Sequence, residues 1–322
     1  MKYVLYGDDL SLFTRKLDCA CRFLGIDVER RPKTPNNASL IEQRAGTHQV
    51  PVLHTPENWM LADTTPIIAL LDSRHPSRAL FPPGWQGAIV HVLEEFFDEW
   101  VSRVMVHFRW HYPASAAFAA ERMSDGDPVV ANRLMDWGRR ACRATGTEFP
   151  AQQQAAEAEY LALMKAADQQ LRTTPFLLGA RPTALDCCVL GGLRAHTLMD
   201  PDPRPRLAPL TTLLAWNAER ADQLLPDPTS APPIEITPFG HQVLTMMATT
   251  YRPFILANAA ARKAGDKLFA AESYGESVTY LSRPYPEASR RMVSDRIAAL
   301  DATSRATCRT LLGDYGILDC FW

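Results

Sequence analysis

The sequence has no long hydrophobic run and no excess of one charge. None of its apolar stretches reaches the roughly 18 residues that a membrane-spanning helix requires. Its 34 basic and 36 acidic side chains leave a formal net charge of −2. The chain therefore lacks the strong positive charge with which many proteins bind nucleic acid or acidic lipid. We expect neither a nucleic acid nor a membrane among its partners.

The cysteines follow no regular spacing. The seven cysteines are an odd number, and the pairs nearest in sequence, Cys19 with Cys21 and Cys187 with Cys188, are poor disulfide partners. No Cys-x-x-Cys pair occurs, which argues against a dithiol reductase. Asp8 and Asp9 interrupt the apolar start of the chain, so we expect no signal-peptide core. These features predict a protein of the reducing cytoplasm.

The first 75 residues alternate between short apolar strands and amphipathic helices. Strands are predicted over 3–7, 26–31, 50–53 and 59–62, and helices over 13–24 and 37–45. A third helix is predicted to open at 63–66, where Asp63 or Thr64 provides a cap and Pro66 occupies the first turn. The order β-α-β-α-β-β-α predicts a small α+β domain over residues 1–78.

The remainder of the chain has the pattern of packed helices. Prolines at 76, 82 and 83 indicate a linker, and helical periodicity follows over 89–104, 129–144, 151–172 and 207–225. We predict an all-α domain over 84–225 and a proline-rich linker over 226–237. The C-terminal extension, 226–322, is predicted to pack on the helical domain. It has helices over 239–264 and 286–312 and a hairpin over 267–282 around Tyr274-Gly275.

The start of the third helix combines an acid with a hydroxyl. Asp63 can neutralise an ammonium, while the Thr64 hydroxyl and the free N–H groups of the helix can hold a carboxylate. If the Val50–Pro51 peptide is cis, the N–H and C=O of Val50 are free to pair with an extended peptide. Together these groups suit the α-amino acid end of a peptide. The alternative is that Asp63 and Thr64 are only helix caps.

Four motifs resemble those of one family. They are the strand, loop and helix over 3–17, the segment Gln49-Val50-Pro51-Val52-Leu53, the segment Asp63-Thr64-Thr65-Pro66-Ile67, and the capping box between Thr183 and Asp186. In this order and spacing they resemble the glutathione transferases. The resemblance implies a thioredoxin-like N-terminal domain followed by an all-α C-terminal domain. It covers about residues 1–225 and leaves 230–322 unexplained.

The resemblance implies roles for single residues. Val50 would pair with the cysteinyl backbone of glutathione, Asp63 and Thr64 would hold its γ-glutamyl end, and Gln49 would lie near its glycyl carboxylate. Ser11 would stand beside the sulfur, where a donated hydrogen bond favours the thiolate. Leu12 replaces the proline that is common there, and Asp8 and Asp9 would oppose a thiolate. Ser11 as a simple helix N-cap and Tyr6 as the activating hydroxyl remain alternatives.

The segment His107-Phe108-Arg109-Trp110-His111-Tyr112 is rich in chemically active side chains. His107 and His111 are four residues apart and could share a metal, but the sequence shows neither a third ligand nor a His-Glu-x-x-His motif. We therefore predict no metal. By the resemblance, this helix would line the second-substrate pocket, with Leu12, Arg103, His107, Phe108 and His111 near the electrophile. The alternative is a partly exposed end of an amphipathic helix.

The resemblance therefore implies a glutathione transferase that activates the thiol of glutathione for attack on a small apolar electrophile. Glutathione is the co-substrate, and a homodimer is implied by the resemblance alone. One alternative is a non-catalytic module of the same fold that serves protein contacts. A second is a glutathione-dependent isomerase or ether-cleaving enzyme.

Overall fold

The computed structural model describes residues 2–220, 223 and 233–322. Its N-terminal part is a four-stranded mixed sheet of order β2-β1-β3-β4. The strands are β1 (Tyr3–Gly7), β2 (Val28–Pro32), β3 (Val52–His54) and β4 (Met60–Ala62). β1 runs parallel to β2 and antiparallel to β3, and β4 pairs antiparallel with β3. The predicted strand order along the chain is confirmed, with shifts of one or two residues at the strand ends.

Three helices pack on this sheet, namely α1 (Leu12–Phe23), α2 (Pro35–Ala45) and α3 (Thr64–Arg74). α1 buries Leu17, Ala20 and Cys21 on one face, which is the periodicity that predicted it. Gly25 follows α1 with φ of 73°, a conformation that glycine adopts without the penalty of a side chain. The predicted α+β N-terminal fold is confirmed.

A mostly helical region follows the sheet, as predicted. After a short 3₁₀ turn (Pro76–Arg78), its elements are α4 (Gly84–Glu95), α5 (Ser102–His111), α6 (Pro113–Ser124), α7 (Pro128–Ala144), α8 (Pro150–Gln170), α9 (Ala184–Gly192), α10 (Arg204–Leu207) and α11 (Thr211–Arg220). A π-helical segment (Phe96–Val101) joins α4 to α5 and another (Leu193–Thr197) follows α9. The sequence did not predict α6, whose alanine-rich turns lack a wide apolar stripe.

The capping box at the start of α9 is confirmed. The Asp186 carboxylate accepts hydrogen bonds from the Thr183 N–H and hydroxyl, both at 2.8 Å, and from the Leu177 N–H at 2.9 Å. Burial raises the pKa of Asp186 to about 6 despite these donors. This box therefore fixes the loop before α9 to the helix itself.

The C-terminal extension contains α12 (Pro238–Thr249), α13 (Tyr251–Ala264), α14 (Pro284–Ala298), α15 (Ala302–Asp314) and α16 (Leu318–Phe321). The predicted hairpin is confirmed as β5 (Leu268–Ser273) and β6 (Glu276–Leu281), with Tyr274 and Gly275 in its turn. The single helix predicted over 239–264 is divided at Thr250. The end of the helix predicted over 207–225 and most of the proline-rich linker, 226–232, lie outside the described residues.

One apolar core runs through all three parts of the chain. Leu5 of the sheet, Trp100 of the helical region and Phe321 of the extension belong to the same cluster of buried residues. All seven cysteines are buried, unpaired thiols. Among the described helices, none combines the length and the hydrophobicity needed to cross a membrane. The extension is thus packed against the rest of the molecule.

Candidate functional site

The sheet register brings the predicted binding residues to one end of the sheet. Tyr6 pairs with Val52, and Val52 pairs with Ala62. The residues that come next, Gly7, Pro51 and Asp63, therefore meet at the same edge. The loop 8–11 and the N-terminus of α1 follow Gly7 there. Four segments that are distant in sequence thus converge on one site.

Val50 offers free backbone groups at this edge. The Val50–Pro51 peptide is cis, which is the condition on which the predicted role of Val50 depended. Across the described residues, the N–H and C=O of Val50 have no hydrogen-bond partner. The neighbouring Gln49 is exposed, and its N–H donates to the Thr47 hydroxyl at 3.1 Å. The backbone of Val50 can therefore pair with an extended peptide.

Asp63 has an unusual backbone conformation. Its φ of 73° and ψ of 118° lie outside the regions that residues with a side chain favour. Such a conformation costs about 1–3 kcal/mol and is found mainly where function requires it. The carboxylate makes no N-cap hydrogen bond to α3 of normal geometry. Asp63 is thus the N-cap of α3 in an unusual conformation, although the Thr65 N–H acts on its carboxylate and lowers its pKa.

The Asp63 carboxylate is half-buried beside charged neighbours. Burial raises its pKa, and the nearby Asp98 raises it further. The Tyr285 hydroxyl, Lys16 and the Thr65 N–H act in the opposite direction. A bound cation would relieve this unfavourable burial, because an opposite charge stabilises the ionised carboxylate.

The first turn of α3 provides donors for an anion. The first internal hydrogen bond of the helix runs from the Ile67 N–H to the Asp63 C=O at 3.2 Å. Because Pro66 has no N–H, the N–H groups of this turn that are not bonded within the helix are those of Thr64 and Thr65, and the Thr65 N–H also acts on the Asp63 carboxylate. An N–H pair at a helix N-terminus, next to the Asp63 carboxylate, matches a ligand that bears both an ammonium and a carboxylate.

Ser11 is the N-cap of α1. Its hydroxyl oxygen accepts from the Thr14 N–H at 3.2 Å, so the alternative that it caps the helix is confirmed. The hydroxyl proton remains available to a ligand, because capping uses only the oxygen. Asp8 and Asp9 are already engaged: Asp8 accepts from the Leu10 N–H at 2.7 Å, and Asp9 pairs with Arg15 at 3.0 Å. The charge of Asp9 is therefore partly neutralised, and it opposes a thiolate less than the sequence suggested.

A cavity of about 300 Å³ lies beside the loop 8–11. Its lining is predominantly polar and charged. The lining residues are Leu5, Gly7, Asp8, Asp9, Leu10, Thr14, Arg30, Arg31, Pro32 and Arg122. Arg30 also pairs with Asp9. This space is close to the segment that would hold the sulfur, and its charges suit a polar molecule.

A buried cluster of charged residues contacts the first turn of α3. The Lys16 ammonium lies 2.5 Å from the carboxylates of both Glu94 and Asp98, and the Thr65 hydroxyl donates to Glu94 at 2.5 Å. Burial raises the pKa of Glu94 to about 7. Glu94, Asp98 and Cys188 are close enough to hold a metal ion, but the Lys16 ammonium already bridges the two carboxylates. Sequence reasoning missed this cluster, although acids within an apolar helical stripe were a signal.

The residues predicted to line a second-substrate pocket lie outside the cavity beside the loop 8–11, and most of them are buried. Arg103 is buried, 3.0 Å from Glu159, with its guanidinium 3.7 Å from the Trp100 ring centroid. His107 is buried with Nε2 2.7 Å from Glu157, and burial lowers its pKa. His111 is exposed and stacks on His107, and Leu12 belongs to the core. None of these four lines the described cavity beside the loop 8–11.

The N-terminal part matches one family of known proteins. Residues 5–79 match the family model described as glutathione S-transferase, N-terminal domain. A glutathione S-transferase from Rhodospirillum rubrum F11 is 16% identical, with 75% of this chain and 99% of that chain covered and a TM-score of 0.48. A glutathione S-transferase from Methylobacterium radiotolerans, solved with glutathione sulfonate, is 18% identical over 69% and 93%, with a TM-score of 0.44.

A maleylacetoacetate isomerase from Anaeromyxobacter dehalogenans 2CP-1, solved with dicarboxyethyl glutathione and citrate, is 22% identical over 72% of this chain and 94% of that chain, with a TM-score of 0.41. At such identities and TM-scores the structures support no assignment of a substrate. No curated protein matches the chain in sequence.

Proposed function

We propose, from the premise that residues 5–79 form a glutathione S-transferase N-terminal domain, that this chain binds glutathione and activates its thiol. The observation that carries the proposal is the positive φ of Asp63. This conformation places the Asp63 carboxylate at the end of the sheet where Val50 has free backbone groups. Such an arrangement fits a peptide with an α-amino acid end.

Each part of glutathione has a counterpart in the site. The backbone of Val50 pairs with the cysteinyl unit, and Asp63 accepts from the γ-glutamyl ammonium. The N–H groups of Thr64 and Thr65 donate to the γ-glutamyl carboxylate, with the Thr64 hydroxyl nearby. Gln49, which is exposed, is the proposed partner of the glycyl carboxylate.

Ser11 is the proposed catalytic residue. Its free hydroxyl proton donates to the sulfur, and the N-terminus of α1 adds positive potential, so both lower the pKa of the thiol. The thiol loses its proton to water, and the thiolate electron pair forms the C–S bond with an electrophilic carbon. In a substitution the leaving group departs with its bonding electrons, and in an addition the substrate takes up a proton. Tyr6 is the alternative hydroxyl.

The cavity beside the loop 8–11 is the proposed place of the second substrate. Three arginines and two aspartates among its lining residues favour a polar or anionic electrophile. The small apolar electrophile predicted from the sequence is the alternative, and so is a pocket lined by Leu12, Arg103, His107 and His111. A non-catalytic binding module, an isomerase and an ether-cleaving enzyme are the alternative functions. The homodimer, the cytoplasmic location and the predicted domain boundaries remain predictions.

Calorimetric titration with glutathione tests the proposal. We expect Asp63→Ala to weaken binding by about 1–3 kcal/mol, the usual effect of losing a charged hydrogen bond. Asp127→Ala is the matched control, because Asp127 is an exposed aspartate that caps the start of α7 through the Val129 N–H at 2.8 Å. Equal affinities of the wild type and Asp63→Ala would reject the site. If glutathione binds but no electrophile is turned over, the non-catalytic alternative holds.

A further inference from the structure

One buried arginine of α5 reaches the loop that the proposed function places beside the sulfur. Arg109 is 2% exposed. Its Nη1 donates to the Leu10 C=O at 2.6 Å, and its Nη2 donates to the Ala195 C=O at 2.5 Å. The guanidinium also donates to the Asp200 carboxylate. Arg109 therefore connects the helical region to the loop 8–11.

Asp200 fixes the orientation of this guanidinium. Its carboxylate is fully buried. One carboxylate oxygen accepts from Nε of Arg109 and the other accepts from Nη2, each at 3.1 Å. Such a two-point contact between a planar guanidinium and a carboxylate defines the plane of the guanidinium. The remaining nitrogen, Nη1, is then directed to the Leu10 C=O.

The peptide group between Leu10 and Ser11 is held at both of its ends. Its C=O accepts from Arg109, and its N–H donates to the Asp8 C=O at 3.1 Å. Because a peptide group is planar, these two hydrogen bonds fix the plane from which the Ser11 side chain starts. The Ser11 hydroxyl oxygen then accepts from the Thr14 N–H. The direction left to the hydroxyl proton therefore depends on the plane that Arg109 holds.

The element that binds Arg109 also packs closely on the start of α1. A Cβ atom on Gly191 of α9 would lie 2.8 Å from both the Leu12 carbonyl oxygen and the Lys16 backbone nitrogen. Only a glycine allows the two helices to approach so closely. Ala195, which accepts from Arg109, follows in the π-helical segment after α9. The guanidinium and the first turns of α1 thus share one rigid support.

We infer that Arg109 is a positioning residue for the thiol of glutathione, because it holds the Leu10–Ser11 peptide group in the orientation from which the Ser11 hydroxyl donates to the sulfur. The inference rests on the proposed function and deepens it, since it makes the helical region part of thiol activation. The charge of Arg109 is paired with Asp200. The guanidinium therefore acts on the sulfur through Ser11 and not through its own charge.

The pKa of the bound thiol tests this role, measured by the ultraviolet absorbance of bound glutathione as a function of pH. Arg109→Lys keeps a cation beside Asp200 but loses the planar set of donors that reaches the Leu10 C=O. We expect the thiol pKa to rise by about 0.4–1 pH unit, the equivalent of one ordinary hydrogen bond, while the Kd for glutathione changes little. Arg206→Lys is the matched control, because this arginine of the helical region donates to the Tyr112 hydroxyl at 2.6 Å instead.

A second variant serves if the lysine variant does not fold. Arg109→Met combined with Asp200→Leu removes both charges of the buried pair, and apolar replacement of a whole buried pair is often tolerated. Circular dichroism verifies that each variant is folded. We expect the same rise of the thiol pKa in this double variant, because the donor to the Leu10 C=O is lost in it too.

A double-mutant cycle with Ser11→Ala separates positioning from a general effect on the fold. If Arg109 acts through Ser11, adding Arg109→Lys to Ser11→Ala raises the thiol pKa no further. Additive rises would overturn the inference, and so would an unchanged thiol pKa in folded Arg109 variants when Ser11→Ala raises it. The proposed function stands in both cases. An unchanged thiol pKa in Ser11→Ala would overturn the role of Ser11 together with the inference, and a wild-type chain that does not bind glutathione would overturn the proposed function as well.

Discussion

Lys16 of α1 and Glu94 of α4 form a fully buried ion pair, with the ammonium 2.5 Å from the carboxylate. The same ammonium reaches Asp98 at 2.5 Å. Thr65, two residues after Asp63, donates to Glu94. The ion pair therefore joins α1 and α4 to the first turn of α3. The position of this turn, and with it that of Asp63, depends on the buried charges of Lys16 and Glu94.

The first expected outcome concerns this pair. Lys16→Met removes the cation and leaves two buried carboxylates without compensation, so we expect a loss of about 3–5 kcal/mol in the free energy of unfolding. Urea unfolding followed by circular dichroism measures it. Lys2→Met is the control, because the Lys2–Asp27 pair is exposed and its loss should not be measurable. Similar stability of both variants would contradict the role of the buried pair.

The second expected outcome concerns Ser11. Ser11→Ala removes the cap of α1, which costs about 0.5–2 kcal/mol of stability, and removes the proposed donor to the sulfur. We expect the pKa of bound glutathione to rise while its Kd changes little. Ultraviolet absorbance of the thiolate as a function of pH measures that pKa.

Two further variants separate the capping of α1 from the hydrogen bond to the sulfur. Ser11→Thr keeps both the cap and the donor, and should restore the thiol pKa. Tyr6→Phe is the companion variant: if it shifts the thiol pKa and Ser11→Ala does not, Tyr6 is the activating hydroxyl. In that case Ser11 is only the cap seen in the structure.

The elements that were predictable depend on local signals. The Tyr274-Gly275 turn, the Thr183–Asp186 capping box and the first turn of α3 each involve residues within a few positions of one another. The partners of Lys16 were not predictable, since Glu94 and Asp98 are 78 and 82 residues away. Helical periodicity likewise shows that a helix has a buried face, but not which helix it meets.

The burial of Arg103 and His107 shows again that sequence periodicity does not reveal contacts between distant helices. Their helix was identified from its apolar stripe, yet their acidic partners Glu159 and Glu157 come from α8. A charged residue on an amphipathic helix can face a pocket or a buried acid. Sequence spacing does not distinguish these two environments, because the residue's partner comes from a helix that is distant in the sequence.

The third expected outcome is a pH dependence of stability. Burial lowers the pKa of His91 well below its usual 6.5, and the positive charges of Arg296 and Lys16 lower it further. Below pH 6.5 the unfolded chain binds a proton at this residue and the folded chain does not. Stability therefore falls as the pH falls, by up to about 1.4 kcal/mol per pH unit from this group.

His91→Asn tests this dependence. The Asn oxygen can still accept the hydrogen bond that Arg296 donates to His91, but it does not titrate. Urea unfolding at pH 7 and pH 5 should give a smaller loss of stability for the variant than for the wild type. His111→Asn is the control, because His111 is exposed. Identical pH profiles of the wild type and His91→Asn would show that His91 is not buried in its neutral form.

The last expected outcome distinguishes a polar from an apolar second substrate. Arg122 of α6 is exposed, has the Phe118 ring 5.8 Å away and lines the cavity beside the loop 8–11. Its guanidinium can pair with a carboxylate that enters the cavity. With two electrophiles that differ only in a carboxylate, Arg122→Ala should raise the KM for the charged one several-fold and leave the KM for the other unchanged.

Arg139→Ala is the control, because Arg139 is an exposed residue of α7 that pairs with Asp136. If Arg122→Ala alters neither KM and the uncharged electrophile reacts faster, the apolar electrophile predicted from the sequence is the better description, and the charged cavity is not where the second substrate binds.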